Sequence, residues 1–201
     1  MTVRTQSSRV VLLSTLTLLV VLSGCDLLQT RSPENPSQAG STFVPPTSAD
    51  IVVTNLQASI REKNKQNYLR CLVDTTISNR TFEFTPTVEA RANNPGVFEG
   101  WTIASEDQYF KNLSESRSDG LSSLDLSNTT TNALAGDEVL FSGKYRLIFQ
   151  HQNSSVAQEA RGNLQFYISR DQQGTWSIYR WIDLRDTSDV TWSDIKASFI
   201  R

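Results

Sequence analysis

Three stretches near the end of the chain alternate apolar and polar residues with a period of two, and they decide most of what it can fold into. In the first, Glu138 to Gln152, Val139, Phe141, Tyr145, Leu147 and Phe149 share one side, and Ser142, Lys144, Arg146 and Gln150 share the other. Leu164, Phe166 and Ile168 repeat the pattern, and Trp176, Ile178, Ile182 and Leu184 repeat it again. Such alternation marks strands with one buried face. Asn153-Ser154-Ser155 and Gln172-Gln173-Gly174 are turn residues between them. Strands joined by short turns pair antiparallel, so the three form a meander. Gly143 interrupts the apolar face and predicts a bend or bulge. From Leu121 onward Leu124 and Leu126 also alternate, adding strand before Gly136-Asp137 turns the chain.

One apolar sheet face needs a cover, and the preceding residues supply helices for it. Ser48 or Asp50 can cap a helix in which Val52, Val53, Leu56 and Ile60 recur at helical spacing. A polar break, Arg61 to Gln66, precedes a second helical piece with Tyr68, Leu69, Leu72 and Val73 on one side. Thr81 to Thr85 alternates as a strand that Pro86 stops. Val88 to Gly100 reads as irregular, with Asn93-Asn94-Pro95-Gly96 as a turn. Ser105 to Gln108 reads as a capping box opening a helix with Tyr109, Phe110 and Leu113 on its apolar side. Trp192, Ile195 and Phe199 share one side of a short C-terminal helix. The fold class is therefore α+β: N-terminal helices against a curved antiparallel sheet, with a short C-terminal helix.

This order of elements resembles the NTF2-like superfamily. Asn64 to Pro86 looks like its opening unit, and Trp176 to Asp183 looks like its closing strand; the likeness covers Asp50 to Leu184. It implies a sheet wrapped round helices as a cone, with a pocket at the open end. Ketosteroid isomerase, scytalone dehydratase and many non-enzymatic binding proteins share that fold. The residues expected to line such a pocket are Trp101, Tyr109, Phe141, Tyr145 and His151. No motif of either enzyme can be matched residue by residue, so no catalytic residue is assigned. His151 lies at a strand end beside a turn, which predicts a rim or surface position. Asp107 is explained by the first turn of its helix. The apolar faces of the three strands carry no Asp or Glu. Tyr167, Tyr179 and Trp181 are expected together on the second face, either as a partner surface, including that of a homodimer, or under the C-terminal helix.

At the other end, Arg4 and Arg9 precede an apolar run, Val10 to Leu22, that ends in Leu22-Ser23-Gly24-Cys25. The run is short of the roughly 20 apolar residues a membrane-spanning helix needs, and its basic start marks an export signal. Leu-Ser-Gly-Cys resembles the lipobox of bacterial lipoproteins. That resemblance implies lipidation of the Cys25 thiol and cleavage after Gly24, leaving the protein on a membrane of the cell envelope by its acyl chains. Asp26 follows the lipidated position; which membrane and leaflet hold the protein stays open. Residues 1–24 are then signal peptide, 25–48 a disordered tether rich in Pro, Ser, Thr, Asn and Gln, and 49–201 the folded domain.

A net charge of −2 offers no basic footprint for nucleic acid. With Cys25 acylated, Cys71 has no disulfide partner and reads as a small buried hydrophobe. One His and one free Cys fall short of a metal site, and nothing calls for a cofactor. Three functions fit: a lipid-anchored domain that binds a small apolar ligand or an envelope protein without catalysis, an acid/base enzyme of the isomerase or dehydratase kind, or a purely structural envelope lipoprotein.

Overall fold

A computed structural model describes residues 42–201. The expected signal peptide, Cys25 and the tether as far as Ser41 lie outside the described residues. Five helices and five strands follow in order: α1 (Ala49–Glu62), α2 (Lys65–Arg70), β1 (Glu83–Thr85), α3 (Val88–Asn93), α4 (Ile103–Glu115), β2 (Ser123–Ala133), β3 (Glu138–Ile148), β4 (Glu159–Arg170), β5 (Trp176–Leu184) and α5 (Trp192–Phe199). The strands form one sheet in the order β1-β5-β4-β3-β2. The long strands pair antiparallel, as the meander requires, and β1 adds to the free edge of β5 in parallel.

Two bulges bend this sheet. Opposite Gly143, strand β2 carries two residues, Asn128 and Thr129, and Asn128 has a φ of 51°. The bulge expected at Gly143 thus lies in its partner strand; a Cβ at Gly143 would meet the Thr129 methyl carbon at 3.0 Å. The second bulge is in β5. Tyr167 pairs with Arg180 while Ile168 pairs with Ile178, which leaves Tyr179 as an extra residue. One extra residue exchanges the two faces from there on. Trp181 and Asp183 therefore point into the core, Ile182 is half-buried and Leu184 is exposed. This overturns both the continuous apolar face expected for Trp176 to Leu184 and the absence of acids from it.

The helices begin where local chemistry lets them. The Ser48 hydroxyl accepts from the Ile51 N–H to start α1, whose Val52, Val53, Leu56 and Ile60 are all buried. Lys63 ends it in the left-handed conformation, and the Asn64 side chain caps α2. Helix α2 is shorter than its apolar pattern: after Arg70 the chain runs beside β5, with Val73 N–H donating to Ile178 O and Ile178 N–H to Cys71 O, both at 2.9 Å. The stretch expected to be irregular contains α3, capped by Thr87. Only Ala90 of that helix is buried, so it shows no apolar stripe. Helix α4 starts earlier than Ser105: Thr102 is its cap, and the Ser105 hydroxyl accepts from the Thr102 N–H at 3.1 Å. Helix α1 touches both β2 and β5, α5 reaches β4, and α4 packs on α2 and α5.

The folded unit also reaches further toward the N-terminus than Ala49. Asn55 exchanges hydrogen bonds with the backbone of Val44, Trp176 N–H donates to Pro46 O at 2.8 Å, and Pro46 is buried. Residues 42–47, expected in the tether, belong to the domain.

Candidate functional site

The interior of the sheet holds charges where the sequence pattern predicts none. On α4, Glu106 lies one helical turn before Tyr109 and Phe110 and two before Leu113, so it shares their buried face. On α5, Lys196 lies one turn after Trp192 and one before Phe199. Both are fully buried and form an ion pair. Glu106 Oε1 accepts from Lys196 Nζ and, at 2.7 Å, from Trp101 Nε1; its Oε2 accepts from the Tyr68 hydroxyl at 2.6 Å. Four rings surround the ammonium. Nζ is 4.0 Å from the Trp181 ring centre, 4.1 Å from Phe84, 5.2 Å from Tyr109 and 5.5 Å from Trp101. Burial pulls the Lys196 pKa down to about 8, against the pull of Glu106 and Asp183 the other way. Burial and Glu106 together push the Tyr68 hydroxyl well above its ordinary value.

A second buried acid stands beside this pair. Asp183 accepts from the Tyr145 hydroxyl at 2.8 Å, the Ser193 N–H at 2.7 Å and the Ser193 hydroxyl at 2.5 Å. Tyr145 in turn accepts from the Trp192 N–H at 2.7 Å, and the Trp192 indole donates to Tyr109 at 2.9 Å. Desolvation raises the Asp183 pKa, opposed by the Ser193 and Tyr145 hydrogen bonds and by Lys196. Gly162 faces this cluster: a Cβ there would meet Leu184 O at 2.7 Å and the Tyr145 hydroxyl at 2.9 Å.

The five residues expected to line a pocket fall in three places. Trp101, Tyr109 and Tyr145 join the buried cluster just described. Phe141 instead stacks on Phe166 at 6.2 Å. His151 is neither at a rim nor on the surface: it is 2 % exposed and packs edge-on against Phe199 at 5.0 Å. Its Nε2 is 3.2 Å from Ala157 O, and its Nδ1 has no hydrogen-bond partner among the described residues. Glu106, Asp183 and Lys196 were missed, although the helical spacing of Glu106 and Lys196 from their aromatic neighbours was visible.

Outside the core, a groove of about 390 Å³ is walled by Phe43, Pro46, Leu69, Leu72, Ile77 and Ile103, among others, with Arg70, Asp74 and Asp171 also on its lining. The Arg70 guanidinium lies 3.7 Å over the Phe43 ring. On the far face of the sheet, Tyr167 and Tyr179 pack edge to face at 6.1 Å, with Arg180 and Arg80 over them. Trp181 is not with them, because the β5 bulge turns it inward, where Trp192 of α5 meets it at 4.5 Å. The C-terminal helix thus covers Trp181. Burial pushes the Cys71 thiol up to about 12, and its sulfur donates to Asn67 O. Among the described residues, no group of three or more His, Cys, Asp and Glu is placed to hold a metal, and no helix is long and apolar enough to cross a membrane.

Neither a protein-family model nor a curated protein matches the sequence. Solved structures do match the fold. A candidate dehydratase of the NTF2-like family from Streptomyces avermitilis superposes with a TM-score of 0.51 at 7% identity, over 69% of this chain and 94% of its own. An NTF2-like superfamily protein from Salmonella enterica gives 0.50 at 9% identity, over 69% and 88%. A candidate scytalone dehydratase from Novosphingobium aromaticivorans gives 0.50 at 10% identity, over 67% and 78%. The fold of residues 42–201 is NTF2-like: a five-stranded mixed sheet, short helices on it and a C-terminal helix.

Proposed function

We propose that this chain is a lipid-anchored domain of the bacterial cell envelope that binds a partner or small ligand without transforming it. The observation that carries this reading is the occupied interior. Lys196 of the chain's own C-terminal helix stands among the aromatic rings, and the oxygens of Glu106 and Asp183 all accept hydrogen bonds from groups of the same chain. An acid/base enzyme needs such a group within hydrogen-bond reach of its substrate. The groove beside α2 is open, and its volume is within the range of small-ligand sites. Its apolar walls suit an apolar body, and Arg70, Asp74 and Asp171 suit one polar end. The lipid anchor rests on Leu22-Ser23-Gly24-Cys25, and more than one acyl chain is enough to hold a protein stably on a membrane. A purely structural lipoprotein shares the filled interior; the groove is what favours binding.

Titrating the isotope-labelled domain with 2-naphthol tests the binding half. Shifts should appear at Leu69, Leu72, Ile77 and Ile103, while the Trp181 and Trp192 indole signals stay in place. Indole shifts would put the ligand in the interior and revive the enzyme, and no shifts anywhere would leave the structural role. For the anchor, Cys25→Ala should abolish acyl labelling and processing in a bacterial host. Undiminished labelling of that variant would remove the lipoprotein reading.

A further inference from the structure

The box around Lys196 has the chemistry of a receptor for a cation. Ring faces attract ammonium ions, and four of them converge here on one Nζ. The carboxylate that completes the box is not positioned by the lysine alone. Tyr68 from α2 and Trp101 from the segment before α4 each donate to Glu106. Without Lys196, four ring faces and one oriented negative charge would remain. Stability alone does not call for a lysine at this position. A buried ion pair forfeits in desolvation about what its attraction returns, and apolar side chains of similar volume often serve as well.

We propose that this box is a recognition site for an alkylammonium group, with the chain's own Lys196 as its resident occupant. Helix α5 delivers that occupant. Its first turn is held by Trp192 and Ser193 against Tyr109, Tyr145 and Asp183, and its end by Asn112, which donates to Phe199 O at 2.7 Å. The chemistry of the box defines the ligand class. Glu106 is the carboxylate that accepts a hydrogen bond from the ammonium, while Asp183, held by Tyr145 and Ser193, acts on it through its charge. The ligand is therefore a primary ammonium at the end of an aliphatic chain. The proposal stands on the interior alone and depends on neither the groove nor the lipid anchor.

The test is Lys196→Ala in the full chain, which vacates the space from Cγ to Nζ. n-Propylammonium replaces those atoms, and 1-propanol is its neutral counterpart of equal size. Followed by the Trp181 and Trp192 indole signals, the variant should bind the amine at least tenfold more tightly than the alcohol. Adding Glu106→Gln should abolish that preference. Lys196→Met, which refills the box with an uncharged chain, should bind neither. Equal binding of amine and alcohol by Lys196→Ala, or binding of neither, would overturn the proposal. If Lys196→Ala does not fold by itself, refolding from urea gives the same decision: recovery with n-propylammonium and not with 1-propanol supports the site, and recovery with neither overturns it.

Discussion

Replacing Glu106 by Ala is expected to destabilise the domain by about 3–5 kcal/mol, the cost of leaving a buried ion without its partner. Three donors lose their acceptor together: Lys196 Nζ, the Trp101 indole and the Tyr68 hydroxyl. Lys196 has no water to turn to, because it is fully buried. The double variant Glu106→Leu with Lys196→Met should recover the part of the loss due to the unpaired charge, while the Trp101 indole and the Tyr68 hydroxyl still lack an acceptor. Urea unfolding of the wild type, Glu106→Leu, Lys196→Met and the double variant measures this. Independent, additive costs at the two positions would show that the charges do not act as a pair. The pair also has a pH signature. With the Lys196 pKa at about 8, below its unfolded value near 10.5, the folded state holds fewer protons than the unfolded state between those two values. Lys196 by itself then makes stability rise with pH through that window, while Cys71, Tyr68, Tyr109 and Tyr145, whose pKa values burial raises, act in the opposite direction in its upper part. Glu106, Asp183 and Tyr109 face the ammonium, and Lys196→Met should remove this rising contribution.

The fold was legible because its strands advertise themselves. Val139 to Phe149 and Leu164 to Ile168 keep their alternation to the end, and the structure buries the expected residues apart from Val139, which is half-buried. What the pattern does not carry is a one-residue change of phase. Nothing about Tyr179 as a residue type announces a bulge, yet it moves Trp181 and Asp183 inward and turns Leu184 out. The interior charges were hidden for a different reason. A lone Glu on α4 or Lys on α5 looks like part of a solvated face until its partner on the other helix is known. Glu106 and Lys196 are ninety residues apart, and no local pattern links them. His151 shows the same limit from the other side: a position beside a turn suggested exposure, but Phe199 from the C-terminal helix lies over it.

The β5 bulge makes an opposite prediction for two neighbouring residues. Trp181→Ala should cost about 3–5 kcal/mol, the usual loss for emptying a buried aromatic site. Trp181 is fully buried and meets Phe84, Phe166 and Trp192 with ring centres 5.7, 5.0 and 4.5 Å away. It also forms one wall of the box around Lys196, 4.0 Å from Nζ. Ile182→Ala, on the outward face, should cost about 1 kcal/mol or less, because that side chain is only half-buried. Without the bulge the order would be reversed: Ile182 would continue the face of Ile178 and Trp181 would lie outside with Tyr167 and Tyr179. Thermal or urea unfolding of the two variants decides between the phases. A larger loss for Ile182→Ala than for Trp181→Ala would mean that β5 keeps its alternation through Tyr179, and the aromatic box would then lose the ring that stands closest to its ammonium.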